Sequence, residues 1–388
     1  MGLVKDMSFV RMRAPDTERA LRFLNDFGLT ASSRSDGAVY LRCTSPAHHV
    51  YVVEQGPPEF AGFAFDAETE QALYTLADED GVDVRESPEP GGGLRITLTD
   101  PDGYRIDVLH GVAPMEPLAM RPPLPLNYAE EKHRINETQR PAVGPAEIKR
   151  LGHVGLKVSN LPRSVGWYAD RFGLRTTDVL STGPENHEVA AFLRLDRGSQ
   201  PVDHHSIVLF ESRKPEFHHC AFETQDYDAV ETSHNWLRDH DWTHSFGVGR
   251  HLLGSQVFDY WLDPWGRKAR ALRRRRPVHR ITRDRAAPHR PIANRPVGAL
   301  LHKAWDITVG GDDQDILLHE RPEVLAIRNE ADLARRLTLH AAFLTQTAQR
   351  IAPFQLMVQS AAGVEPAAAA MLEEMGRQRL VGIGVMAA

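Results

Sequence analysis

The chain repeats one small plan, and that repetition restricts the folds open to it more than any other feature. Four successive segments each read as a strand, an amphipathic helix and further strands ending in a turn. One such segment cannot bury its apolar face alone, so the copies must pair. The first runs from Phe9-Val10-Arg11-Met12 through a helix over Asp16 to Phe27 into Val50-Tyr51-Val52-Val53. The second runs from Phe63-Ala64-Phe65 through a helix near Glu68 to Asp80 and ends in Asp100-Pro101-Asp102-Gly103. After a proline-rich stretch from Pro114 to Pro125 and a polar connection to about Lys149, the plan restarts at Leu151-Gly152-His153-Val154-Gly155-Leu156. A helix over Leu161 to Phe172 and strands near Ala190 to Leu195 and Ser206 to Phe210 follow. The fourth copy opens at His219 and closes on Asp263-Pro264-Trp265-Gly266. The halves agree in detail: Phe23, Asn25 and Phe27-Gly28-Leu29 echo Tyr168, Asp170 and Phe172-Gly173-Leu174, and each half ends in Asp-Pro-x-Gly, where Gly supplies a turn into a last strand.

This pattern predicts an α+β fold of paired βαβββ modules in two domains, residues 1–115 and 149–272, joined by a linker over 116–148. From Ala269 to about Pro296 the text changes to Arg273-Arg274-Arg275-Arg276-Pro277 and scattered Arg, His, Ala and Pro, without helical or strand period. It reads as disordered or loosely packed, with an irregular basic linker over 273–296. From Val297 to Ala388 helical periodicity returns, predicting a separate all-helical segment.

A hydrophobic content of 41% and a formal charge of -6 over 388 residues indicate a soluble globular protein rather than a nucleic-acid binder. The start has no apolar core suited to export, and no stretch reaches the roughly 20 apolar residues of a membrane span, so no membrane partner and a cytoplasmic location are expected. Cys43 and Cys220 are too few for a disulfide framework.

Chemistry concentrates in the second half. His153 and His219 open its two modules at equivalent positions on their first strands, so pairing the modules brings the imidazoles together. A lone strand histidine is usually a satisfied structural residue; two at matching repeat positions favour a metal-ligand pair. Two imidazoles and one carboxylate on one face leave positions on a ferrous ion open for an organic substrate and dioxygen.

Over about residues 1–270 these motifs resemble the type I extradiol ring-cleavage dioxygenases, the catechol 2,3-dioxygenase branch of the vicinal-oxygen-chelate superfamily. The resemblance implies that fold (also called glyoxalase-like), Fe(II) as cofactor, a small catechol-type aromatic diol and dioxygen as partners, and often homo-oligomers. It implies His153 and His219 as iron ligands, His204 as acid-base group fifteen residues before the second ligand, and His251 and Tyr260 as hydrogen-bond partners of the substrate oxygens. In the first half, Ser8 is expected opposite His153, Gly62 opposite His219 and Asp107 at the carboxylate position, so that half reads as structural.

One residue departs from the family pattern. The third ligand, a Glu, belongs seven residues after Asp263, where this chain has Arg270. Arg has five donors, no acceptor and a permanent charge. Placed about 4 Å from a divalent ion at an effective dielectric near 20, that charge costs on the order of 8 kcal/mol. Ala269 to Arg276 can be encoded by GCA CGA GCA CTA CGC CGA CGG CGA, which one nucleotide later reads His-Glu-His-Tyr-Ala-Asp-Gly and restores Glu at this place. An out-of-frame origin of the tract is a hypothesis that sequencing the gene tests; the plainer reading is a solvated basic linker.

Val297 to Ala388 resembles the helical effector-binding domain of tetracycline-repressor-type regulators, in Ala299-Leu300-Leu301, Ala304-Trp305-Asp306, Gly310-Gly311-Asp312-Asp313, Glu320-Arg321-Pro322, Ile351-Ala352-Pro353 and Arg377-Gln378-Arg379-Leu380. No helix-turn-helix precedes it, so no specific nucleic-acid partner is expected, and the arginine run alone would give salt-sensitive attraction only. Two functional readings follow. One is an extradiol dioxygenase impaired or inactivated by Arg270; the other is a noncatalytic aromatic- or effector-binding protein derived from a dioxygenase and regulator gene fusion.

Overall fold

Each of the four helices in the repeats starts at a side chain that caps it. Asp16, Thr69, Asn160 and Asp226 accept hydrogen bonds from the backbone N–H groups of Arg19, Ala72, Arg163 and Ala229, opening α1 (Thr17–Phe27), α2 (Glu70–Asp80), α3 (Leu161–Phe172) and α4 (Tyr227–Asp239). Such a cap is worth about 1 kcal/mol, because it satisfies a donor the helix itself cannot. The first three helices end at Gly28, Gly81 and Gly173 in the left-handed region, where no side chain opposes the reversal.

The computed structural model describes residues 2–273 except 36, 128, 183–186 and 252, together with scattered residues between 322 and 375. In the first half, strands β1 (Val4–Ala14), β2 (Thr30–Ser35), β3 (Ala38–Arg42), β4 (Tyr51–Gln55), β5 (Glu59–Ala67), β6 (Arg85–Glu86), β7 (Leu94–Thr99) and β8 (Arg105–His110) form one sheet in the order β2-β3-β4-β1-β5-β8-β7-β6. The second half repeats it with β9 (Ile148–Val158), β10 (Arg175–Thr182), β11 (His187–Arg194), β12 (Ile207–Glu211), β13 (Glu216–Thr224), β14 (Thr243–Arg250), β15 (Val257–Leu262) and β16 (Lys268–Arg273), in the order β10-β11-β12-β9-β13-β16-β15-β14. These are the paired βαβββ modules of the vicinal-oxygen-chelate fold. In each half the two modules join through their first strands, which run antiparallel: β1 to β5, and β9 to β13.

The halves share one hydrophobic core, which α1 and α3 enter from opposite sides. Phe27 of α1 packs edge-on against Phe222 of β13, with centroids 5.7 Å apart, and Phe172 of α3 lies 5.0 Å from Phe65 of β5. Polar ties reinforce the contact: the indole N–H groups of Trp236 and Trp242 both donate to Asp26, at 3.1 and 2.9 Å, and the Tyr168 hydroxyl donates to Asp100 at 3.1 Å.

Two readings of the sequence need correction. The strand pattern does not stop at Ala269: β16 runs to Arg273, paired with β13 on one side and β15 on the other, and Ala269, Ala271 and Leu272 are buried. Its core residues are small and its other face carries Lys268 and Arg270, so apolar alternation is muted and the strand passes for linker. Second, Phe9 rather than Ser8 corresponds to His153. Val10 pairs with Tyr51 and Phe63 in the first half as Val154 pairs with Ile207 and Cys220 in the second.

Beyond Arg273 the basic linker and the regulator-like resemblance lie largely outside the described residues, which include a helix α5 (Pro322–Asn329). No helix among the described residues is long and apolar enough to cross a membrane.

Gly28 tests the junction between the halves. Its φ is 115° and a Cβ there would lie 2.1 Å from the carbonyl oxygen of Ala146. Gly28→Ala is expected to lower stability by about 2 kcal/mol or more, since backbone strain of this kind alone costs roughly 1–3 kcal/mol. Urea unfolding of the two proteins checks it.

Candidate functional site

The register of β9 and β13 builds the site. Gly155 pairs with His219 and His153 with Ala221, so alternate residues of both strands project onto one face. There the Nε2 atoms of His153 and His219 stand 3.0 Å apart, both rings buried. Two cis ligands at roughly 2.1 Å from an ion, at right angles, also stand about 3.0 Å apart, so this spacing suits a shared metal. Gly155 makes room for it: a Cβ at that position would meet the His219 ring at 2.5 Å. Behind the pair, the Nδ1 atoms of His218 and His219 are 2.7 Å apart. A proton held between those two atoms, on His219, frees its Nε2 lone pair for a ligand.

β16 and β15 complete the wall. Arg270 pairs with Ala221 on one side and Tyr260 on the other, so its side chain enters the same face. It is 2% exposed, and its NH1 donates to the Tyr260 hydroxyl at 2.7 Å and lies 3.2 Å from Nε2 of His251. The guanidinium carbon sits 5.2 Å from the centre of the Tyr260 ring. Nε and NH2 of Arg270 have no hydrogen-bond partner among the described residues. His251, stacked on Phe258 at 4.1 Å, has its Nε2 3.2 Å from the Tyr260 hydroxyl.

His153, His219, His251 and Tyr260 converge with Arg270, whereas His204 turns away. Its Nε2 lies 2.6 Å from the Asp178 carboxylate and its Nδ1 2.9 Å from Nδ1 of His205. His205 is the one that packs on the pair, its ring centroid 4.2 Å from that of His153. Counting fifteen residues back from His219 reaches His204, whereas the residue packed on His153 is its neighbour His205. His204 and His205 both precede β12 in irregular backbone, so neither counting nor strand alternation separates them.

The electrostatics follow from burial around a fixed cation. Burial, with the charges of His218 and Arg270 added, drives His219 well below the usual histidine range. Burial, then His204 and Arg270, does the same to His205. His251 is lowered to about 3, by burial and then by Arg270. Neutral imidazoles are the form that binds metals. Burial also lowers the pKa of Arg270, with Tyr260 opposing, and among the described residues no carboxylate is bonded to it.

In the first half the same positions hold Phe9, Gly62 and Asp107. Arg11 occupies the place of Gly155 and bonds Glu54 at 2.7 Å, while Asp107 is engaged by Thr97 at 2.6 Å and Arg105 at 3.0 Å. This face is lined by ion pairs, and among the described residues it holds no group of three metal-ligand side chains.

The donor set of the second half does not fit a ferrous triad. Two nitrogens are placed for it, and the third position holds a buried cation aimed into the site.

Comparison with known proteins adds the following. A model of the Glyoxalase/Bleomycin resistance protein/Dioxygenase superfamily matches residues 7–108 and 150–268. Metapyrocatechase 2 of Cupriavidus necator is 30% identical over 268 residues, covering 68% of this chain and 79% of that protein. Homoprotocatechuate 2,3-dioxygenase of Brevibacterium fuscum, in an anaerobic complex with 3,4-dihydroxyphenylacetate, superposes with a TM-score of 0.57 at 20% identity, over 71% of this chain and 82% of its own. The Mn(II)-bound glyoxalase of Novosphingobium aromaticivorans gives a TM-score of 0.58 at 19% identity, over 72% and 85%. At such identities the structures share a fold, and that fold serves both a ring-cleaving dioxygenase and a glyoxalase.

The His251 shift has a measurable sign. Its folded value of about 3 lies below the ordinary 6.5, so the unfolded chain binds the extra proton first. Its contribution to stability is complete above about pH 6.5 and declines as pH falls from there toward 3. Arg270→Met removes one of the two causes, and the NMR titration of His251 is expected to move upward. An unchanged titration would show that burial alone sets it.

Proposed function

This chain belongs to the Glyoxalase/Bleomycin resistance protein/Dioxygenase superfamily, and we propose that its second half is an extradiol ring-cleavage site for catechol-type aromatic diols in which Arg270 blocks the ferrous centre. Homologues of this chain are extradiol dioxygenases, which supports oxygenase chemistry at low identity. The observation that carries the proposal is the pair of buried Nε2 atoms 3.0 Å apart, faced by His251 and Tyr260. Extradiol cleavage breaks the ring bond beside the diol and places both atoms of dioxygen in a yellow hydroxymuconic-type product.

Of this chain's own residues, His153 and His219 are the iron ligands of the proposal, and Tyr260 and His251 are the groups that hydrogen-bond the diol oxygens. His205, adjoining His153, takes the acid-base position, and His204 with Asp178 orients it through the Nδ1 contact. With Arg270 present, Tyr260 and His251 are engaged by the guanidinium instead. That engagement favours a second reading, a noncatalytic pocket for an aromatic ligand.

The two are separated by one substitution. The unaltered chain, supplied anaerobically with ferrous iron and then with catechol and air, is expected to give little or no yellow product. Arg270→Glu is expected to bind iron and to gain ring cleavage by at least a hundredfold, and adding His219→Ala to remove it again, as loss of one essential group costs orders of magnitude. Strong turnover by the unaltered chain would refute the role given to Arg270. Tight iron binding by Arg270→Glu without turnover would favour the binding-protein reading.

A further inference from the structure

Strand β15 has two faces. Phe258 and Tyr260 project toward the histidine pair, while Asp259 and Trp261 project the opposite way, toward α4 and the start of β14. On that far face stands a second constellation of two imidazoles and a carboxylate. Nδ1 of His234, on α4, is 3.1 Å from Oδ2 of Asp259; Nε2 of His244, on β14, is 2.8 Å from its Oδ1. The ligand atoms of the three residues lie within 4.8 Å of one another, and this is the one such group of three among the described residues.

We propose that His234, His244 and Asp259 bind a borderline divalent cation such as zinc, at a site separate from the pocket on the other face of the sheet. Four observations favour a cation over a merely hydrogen-bonded trio. Tetrahedral ligands at roughly 2.05 Å from zinc stand about 3.3 Å apart, and with one ligand atom from each residue all lying within 4.8 Å of one another, modest side-chain adjustment brings them to that spacing. The carboxylate is fully buried and already held by the indole N–H of Trp261, the outer-shell donor that fixes a ligating carboxylate. The imidazoles are nearly perpendicular, at 84°, with centroids 4.9 Å apart, so their lone pairs converge from two directions. Finally, the side chains of His234 and His244 are 21% and 33% exposed, which gives an ion a route in and leaves a fourth position to water.

The three ligands come from three elements, so an ion there ties α4 to the β14–β15 hairpin. That hairpin carries Tyr260 within β15 and leads into His251 after β14. The cation would therefore act as a structural clamp on two residues of the pocket while touching no substrate. Imidazole with carboxylate selects zinc, cobalt, nickel or copper over magnesium or calcium.

The test uses the full-length, untagged chain, freed of metal by chelation, dialysed against zinc and then against buffer. One zinc per chain is expected to remain, and its presence should raise the unfolding temperature through linkage. His244→Ala, at a half-exposed position, is expected to lose that zinc with affinity weakened roughly 100-fold or more, since even losing an outer-shell partner costs 10–100-fold. His244→Cys keeps a ligand and is expected to regain it, and the unfolding temperature should follow zinc occupancy across the three proteins. Zinc that is not retained by the unaltered chain, or that is retained equally by His244→Ala, would overturn the proposal and leave Asp259 as a hydrogen-bonded carboxylate.

Discussion

Everything in the second half is arranged by the antiparallel ladder between β9 and β13. It joins two modules that could not bury their apolar faces separately, and its register puts His153 and His219 on the same face. A shift of one residue would turn one imidazole to the opposite face, so the pair exists only at this register. Gly155 is part of the same constraint, because the ladder sets its α-carbon against the His219 ring where no side chain fits.

The first half holds the same ladder, between β1 and β5, with the opposite choice of residues. Where the second half has Gly155 beside His219, the first has Arg11 beside Gly62. The small residue and the large polar one have exchanged strands. The consequence is chemical: Arg11, 3% exposed, draws in Glu54 and Glu89 and lies 3.9 Å from Asp107, so the space becomes a closed ion-pair network. The backbone plan is the same in both halves, and the faces differ because Phe9, Arg11 and Gly62 stand where His153, Gly155 and His219 stand.

Repetition made the fold legible in the sequence. Helix caps, the Phe-Gly-Leu ends of α1 and α3 and the two Asp-Pro-x-Gly turns are local signals, each with its own physical cause, and they agree with one another. The convergence of the expected residues was legible to the extent that it follows strand position, as for His153, His219 and Tyr260. That reading failed where the answer depends on register between strands, as with Phe9 rather than Ser8, and it could not order His204 and His205, which precede β12 in irregular backbone. Counting along the chain cannot see a neighbour across a ladder. The His234, His244 and Asp259 group was missed for the same reason, as its members are separated by ten and fifteen positions and meet only because α4 packs behind β15.

Arg270 is the point at which the fold and its chemistry part. As a strand residue it is well accommodated: β16 pairs on both sides and Tyr260 receives one guanidinium N–H. As a charge it is not, since two of its donor nitrogens are buried without a hydrogen-bond partner among the described residues, and its charge adds to the burial that lowers His205, His219 and His251. A buried cation lacking its counter-ion carries a penalty of several kcal/mol that the rest of the core must offset. A carboxylate at this position would instead complete a set of donors already 3.0 Å apart and release Tyr260 and His251. On the proposed reading, a carboxylate at residue 270 would suit the geometry that surrounds it, and the arginine there sets the local electrostatics against that geometry.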